Sequence, residues 1–162
     1  MRSIKFVFTF ALAVVSLLFL TGSSIVPQFI RIGVCDVAFG DTSSSSVLTD
    51  GQLGPQVGMC FVPHAATVLE VDVRADGGTP NIILGGEIGG TVSNLVSSAL
   101  ATAASGARAC SNVGGTLGLD GLTTCSATLQ NTALAQGTYI QAVSGAAGGV
   151  AKWMTAHVIY TY

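Results

Sequence analysis

The strictest alternation of apolar and polar side chains in the chain is TVLEVDVRAD, residues 67–76. Leu69, Val71 and Val73 alternate there with Glu70, Asp72 and Arg74. A period of two turns one set inward and the other towards water, the pattern of an antiparallel strand with one wet face. DGGTP then turns the chain, and NIILG reads as a short apolar strand. Further on, GTYIQAVSG alternates again, with Tyr139, Gln141 and Val143 sharing a face. AKWMTAHVIYTY predicts a long last strand, with Met154, Ala156, Val158 and Tyr160 on one face. Trp153, Thr155, His157 and Ile159 take the other, and SGAAGG reads as a hairpin-like link between these two strands.

Elsewhere the pattern is weaker. TVSNLVSSALATAASGARAC offers helical spacing through Val92, Leu95, Val96 and Leu100, but its Ser and β-branched content suits strands. Strand or loop is favoured, with room for one short helix. Short strands separated by Gly-rich turns predict an all-β domain, an antiparallel sandwich or jelly roll, over residues 57–162. Residues 25–56 read as an irregular Ser/Gly-rich segment, because GDTSSSSVLTDGQLGP is polar and ends on proline.

The first 24 residues change the picture of where this domain resides. MRSIKF is basic, FVFTFALAVVSLLFL is an apolar run free of charge, and TGSS supplies small residues for cleavage. This reads as a signal peptide over residues 1–24, with a retained signal anchor as the alternative, so membrane contact is expected only through an uncleaved leader. A lipoprotein is not expected, because Val34 rather than a small residue precedes Cys35. An even set of cysteines, Cys35, Cys60, Cys110 and Cys125, then reads as two disulfides in an exported chain. Pairing of sequence neighbours is the economical choice among three. Zinc is the rival, from the Cys60 and His64 spacing, but no CxxC pair accompanies it. The predicted location is secreted or cell surface.

Charged residues are only 9% of the chain, against about a quarter in an average soluble domain. Such a surface is not a nucleic-acid footprint. No GxxxxGK occurs, and the Lys nearest the glycine runs is Lys152, so phosphate binding is not expected. Gly114-Gly115-Thr116-Leu117-Gly118-Leu119-Asp120 exceeds a calcium nonapeptide by one residue, is a single copy and offers one carboxylate. It reads as a turn stapled by Cys110 and Cys125, Asp120-Gly121 being the turn signal. No GxSxG elbow is present, and His64 and His157 lack a visible partner set. Glu70 and Asp72 lie about 7 Å apart on one strand face by the two-residue repeat. Arg74 continues that face, so a solvated charged ladder is expected. No catalytic, cofactor or metal residue is assigned. Sugar rings stack on aromatic side chains, and Trp153 and Tyr162 are the first candidates for such contact, with Tyr139 and Tyr160 also available.

Residues 129–162, from LQNTALAQGTYIQAVSG onward, resemble the C-terminal hairpin of small jelly-roll modules in phage tail and virion proteins and related exported proteins. Leu134, Gly137 and Ile140 match, while Thr138 stands where that family carries an acidic residue. The chain end is also similar to the last strand of chaperone-assembled fimbrial subunits, through Gly148 and Tyr160 or Tyr162. Those subunits usually carry a single disulfide near the N-terminus, from which Cys110 and Cys125 depart. Both resemblances imply a β-sandwich used for display, attachment or assembly and carry no catalytic residues. The expected function is therefore a non-enzymatic structural or attachment protein, with self-assembly as its partner chemistry. A monomeric carbohydrate-binding module for cell-surface glycan is the alternative.

Overall fold

The computed structural model describes residues 30–40, 59–102 and 107–162, and every regular element among them is a β-strand. In chain order these are β1 (Ile32–Gly40), β2 (Met59–Phe61), β3 (Ala66–Ala75), β4 (Asn81–Ile88) and β5 (Thr91–Asn94). They continue as β6 (Leu100–Ala101), β7 (Arg108–Asn112), β8 (Ala133–Leu134), β9 (Tyr139–Ala146) and β10 (Trp153–Thr161). One sheet has the order β1-β10-β3-β7, with β8 also on β3. The other has the order β2-β9-β4-β5, with β6 also on β4. All strand pairings are antiparallel. The fold is the expected all-β sandwich. Its pairing follows a folded double ribbon, in which β1 meets β10, β2 meets β9, β3 meets β8 and β4 meets β5.

The inner faces of the two sheets supply the core. From the first sheet come Cys35, Val37, Phe39, Val71, Val73, Met154, Ala156 and Val158. Ile82, Leu84, Ile140 and Ala142 come from the second. Burying each larger aliphatic side chain contributes about 1.5–3 kcal/mol relative to leaving it wet. Met154, Ala156, Val158 and Tyr160 all face inward, as the alternation in the last strand predicts. The ring of Tyr160 lies across Gly33 on β1, where any side chain would collide with it.

Three expectations need correction. Residues 32–40 are not irregular: they form β1, in nine consecutive pairs with β10. Cys35, Val37 and Phe39 alternate inward there, a short pattern overshadowed by the polar run that follows. Residues 41–56, and the leader with its alternative as an anchor, lie outside the described residues. Second, residues 147–152 do not close a hairpin, since β9 and β10 belong to different sheets. Each strand has an apolar face, and stacking those faces across the core buries both. Gly148 makes this crossing, with φ at +64° and no room for a side chain against the backbone of Thr79 and Pro80. Third, β3 carries a bulge: Ile159 pairs with Glu70 and Tyr160 with Val68, leaving Leu69 unpaired. Inward parity therefore switches from Ala66 and Val68 to Val71, Val73 and Ala75, and Leu69 is only half-buried. The favoured reading of residues 91–110 as strand or loop holds: among the described ones lie β5, β6 and the start of β7, and no helix.

Candidate functional site

The expected wet face of β3 is covered. Glu70 and Asp72 are only 1% and 5% exposed, and the residue between them that binds both is Arg108 of β7. Arg108 Nη2 donates to Glu70 Oε1 and, at 2.9 Å, to Asp72 Oδ2. The solvated-ladder expectation fails because β7 lies beside β3 and the loop after β7 folds back over both strands. Leu119 N in that loop donates to Glu70 Oε2 at 2.7 Å, and Arg108 Nη1 lies 2.6 Å from Asp120 Oδ2. Asn112 holds the loop base, donating to the carbonyls of Thr116 and Leu117 and accepting from Thr116 N. Burial alone would lower the Arg108 pKa. Its hydrogen bond to Asp72, with the negative charges around it, instead holds the guanidinium above the ordinary arginine range.

Asp120 acts as the turn signal it was expected to be. Its Oδ1 accepts from the backbone N–H of Leu122 and Thr123, both at 3.0 Å, and its Oδ2 accepts from the Thr123 hydroxyl at 2.8 Å. These bonds, led by Leu122, hold its carboxyl well below the usual aspartate range, and Arg108 adds to the effect. The oxygens of Asp120 are thus taken by the turn and by a guanidinium, and among the described residues no group of three metal-ligating side chains assembles. The disulfides join Cys35 to Cys60 and Cys110 to Cys125, with Cα separations of 5.8 and 4.6 Å. The first ties the edge of one sheet to the edge of the other. The second pins the covering loop to β7, beside Glu70.

The other sequence candidates are scattered. His157 Nδ1 lies 2.6 Å from Asp36 Oδ1 across the β1–β10 ladder, while His64 stacks on Tyr162 with ring centroids 5.3 Å apart. The histidines therefore stand in separate settings. Trp153 opens β10 on its outer face, half-buried, and Tyr162 follows its far end on the inner side, 6.1 Å from the ring of Tyr160. Nine residues of extended chain put them about 30 Å apart, so they do not form one platform. Tyr162 lines a cavity of about 740 Å³ with Ile30, Leu69 and Leu134. Arg108 has no role in the strand pattern of the sequence. Its signal was isolation: it is the only basic residue between Arg74 and Lys152, two positions from a cysteine.

Two surfaces bear on function among the described residues. One is β1, which pairs with β10 on one side and with no strand on the other. Ile32 and Val34 on its outer face are 65% and 53% exposed. The other is the outer face of the β2-β9-β4-β5 sheet, where Phe61 and Tyr139 stand side by side. Comparison with protein-family models, with curated proteins and with solved structures finds no match.

Proposed function

We propose that the chain is an exported, non-enzymatic jelly-roll protein that serves as a structural or attachment subunit at or beyond the cell surface. Copies join through the β1 edge. The observation that carries this reading is that, among the described residues, no strand pairs with the outer side of that edge. Sheet edges in monomeric proteins are usually blunted by lysine, proline, a bulge or a covering segment. β1 has no lysine or proline, and its nine pairs to β10 run without a register shift. Its one charged residue, Asp36, is engaged by His157.

The strand order supports the finer fold assignment, since two sheets built from a folded double ribbon are what a jelly roll requires. Two disulfides suit an oxidising compartment, as does the apolar leader. The scarcity of charge supports assembly, because little like-charge repulsion opposes contact between copies. The last strand does not supply the contact: β10 is paired on both sides within its own chain.

Size-exclusion chromatography with light scattering, and negative-stain electron microscopy at micromolar concentration, test this reading. The protein is expected to elute as assemblies and to show filaments or lattices. Val34→Lys places a charge on the edge and is expected to yield a folded monomer with an unchanged circular dichroism spectrum. A wild-type chain that is monomeric throughout would end the proposal.

A further inference from the structure

A row of side chains crosses the outer face of the second sheet. The register places Phe61 of β2 opposite Tyr139 of β9, Tyr139 opposite Glu87 of β4, and Glu87 opposite Val92 of β5. Phe61 and Tyr139 are 50% and 47% exposed, with ring centroids 5.3 Å apart and planes tilted by 58°. Two half-exposed rings in contact form an apolar wall that water covers at a cost. One strand spacing away, about 4.8 Å, stands a hydrogen-bonding pair. Gln141 Nε2 donates to Glu87 Oε2 at 2.7 Å, and Gln141 is buried, so the carboxylate is held in one orientation. Among the described residues, Glu87 Oε1 accepts no hydrogen bond. The strands of this sheet carry no Lys, Arg or His, and Glu87 is their only carboxylate.

The ligand that fits needs an apolar face for the rings and a hydroxyl donor about one strand spacing away. It also needs no negative charge, because nothing on the face would offset one. We propose that this face binds a neutral saccharide, stacking one pyranose ring on Tyr139 with Phe61 as the side wall. A sugar hydroxyl donates to Glu87 Oε1. Amphipathic sugar rings meet all three requirements, whereas uronic and sialic acids meet only two. The site is independent of the β1 edge, which lies on the other sheet, and it does not use Trp153 or Tyr162.

Native gel electrophoresis of the purified protein through polymer-containing gels tests this directly. The probes are four neutral polysaccharides (a β-1,3-glucan, hydroxyethyl cellulose, a galactomannan and dextran) and two acidic ones, alginate and polygalacturonate. Retardation by at least one neutral polymer and by neither acidic one is expected. Tyr139→Ala and Phe61→Ala, both at half-exposed positions, should weaken it at least tenfold. Glu87→Gln, which keeps shape and removes charge, should weaken it severalfold, while Trp153→Ala leaves it unchanged. Absence of retardation by every neutral polymer, a preference for the acidic ones, or undiminished retardation of a folded Tyr139→Ala variant would each overturn the proposal.

Discussion

The residue that does most for the first sheet's outer face is Arg108, one cation among Glu70, Asp72 and Asp120. Removing one partner of a buried ion cluster leaves uncompensated charge, at a cost of about 3–5 kcal/mol. Arg108→Met is therefore expected to lower the unfolding free energy by that amount in urea titrations. Adding Glu70→Gln and Asp72→Asn should recover part of the loss, because the stranded charges go with them. Asp120 gives a different readout. Its native pKa lies below its unfolded value, so its contribution is fully present above about pH 5 and is lost as pH falls below about 4. Asp120→Asn lacks that contribution at every pH. Urea midpoints of the two proteins should differ at pH 6 and converge towards pH 2. The sequence showed Glu70 and Asp72 on one face but not what covers them. Their cation sits 36 and 38 residues away, and no local period reports a pairing at that distance.

At the scale of elements, β10 is the keystone of its sheet, paired with β1 over nine residues and with β3 through the bulge. Deleting residues 151–162 strips hydrogen bonds from both neighbours and removes Met154, Ala156, Val158 and Tyr160 from the core. Loss of the folded β-signal in circular dichroism is expected, with no recovery of assembly on adding the missing peptide in trans. A folded, non-assembling product would show that the last strand serves a neighbouring copy instead. The alternation of β3, β9 and β10 was legible because each buries one face only. β1 was not, since its outward positions, Ile32 and Val34, are as apolar as its inward ones. The link after β9 reads as a hairpin for a related reason: glycine turns mark a change of direction, but not whether the next strand pairs or stacks.

For the molecule as a whole, low charge, two disulfides and an edge with no partner strand among the described residues bear on the proposed assembly, and the aromatic row on the opposite sheet bears on what such an assembly would hold. Val34→Lys and Tyr139→Ala should therefore separate cleanly, the first abolishing assembly and the second sugar retention. Of the two aromatic partners, Tyr139 was within reach of sequence reading as an outward residue of an alternating strand. Phe61 was not, because three residues of β2 are too few to show a period. The Cys35–Cys60 bond has a mechanical consequence for such a subunit. Ile32 and Thr161 are cross-strand partners at one end of the β1–β10 ladder, so tension applied between these two residues would peel the ladder one pair at a time. Cys35 lies three residues into that ladder. There the unzipping stops, and the load passes through sulfur into the second sheet while the rest of β1 is shielded from it.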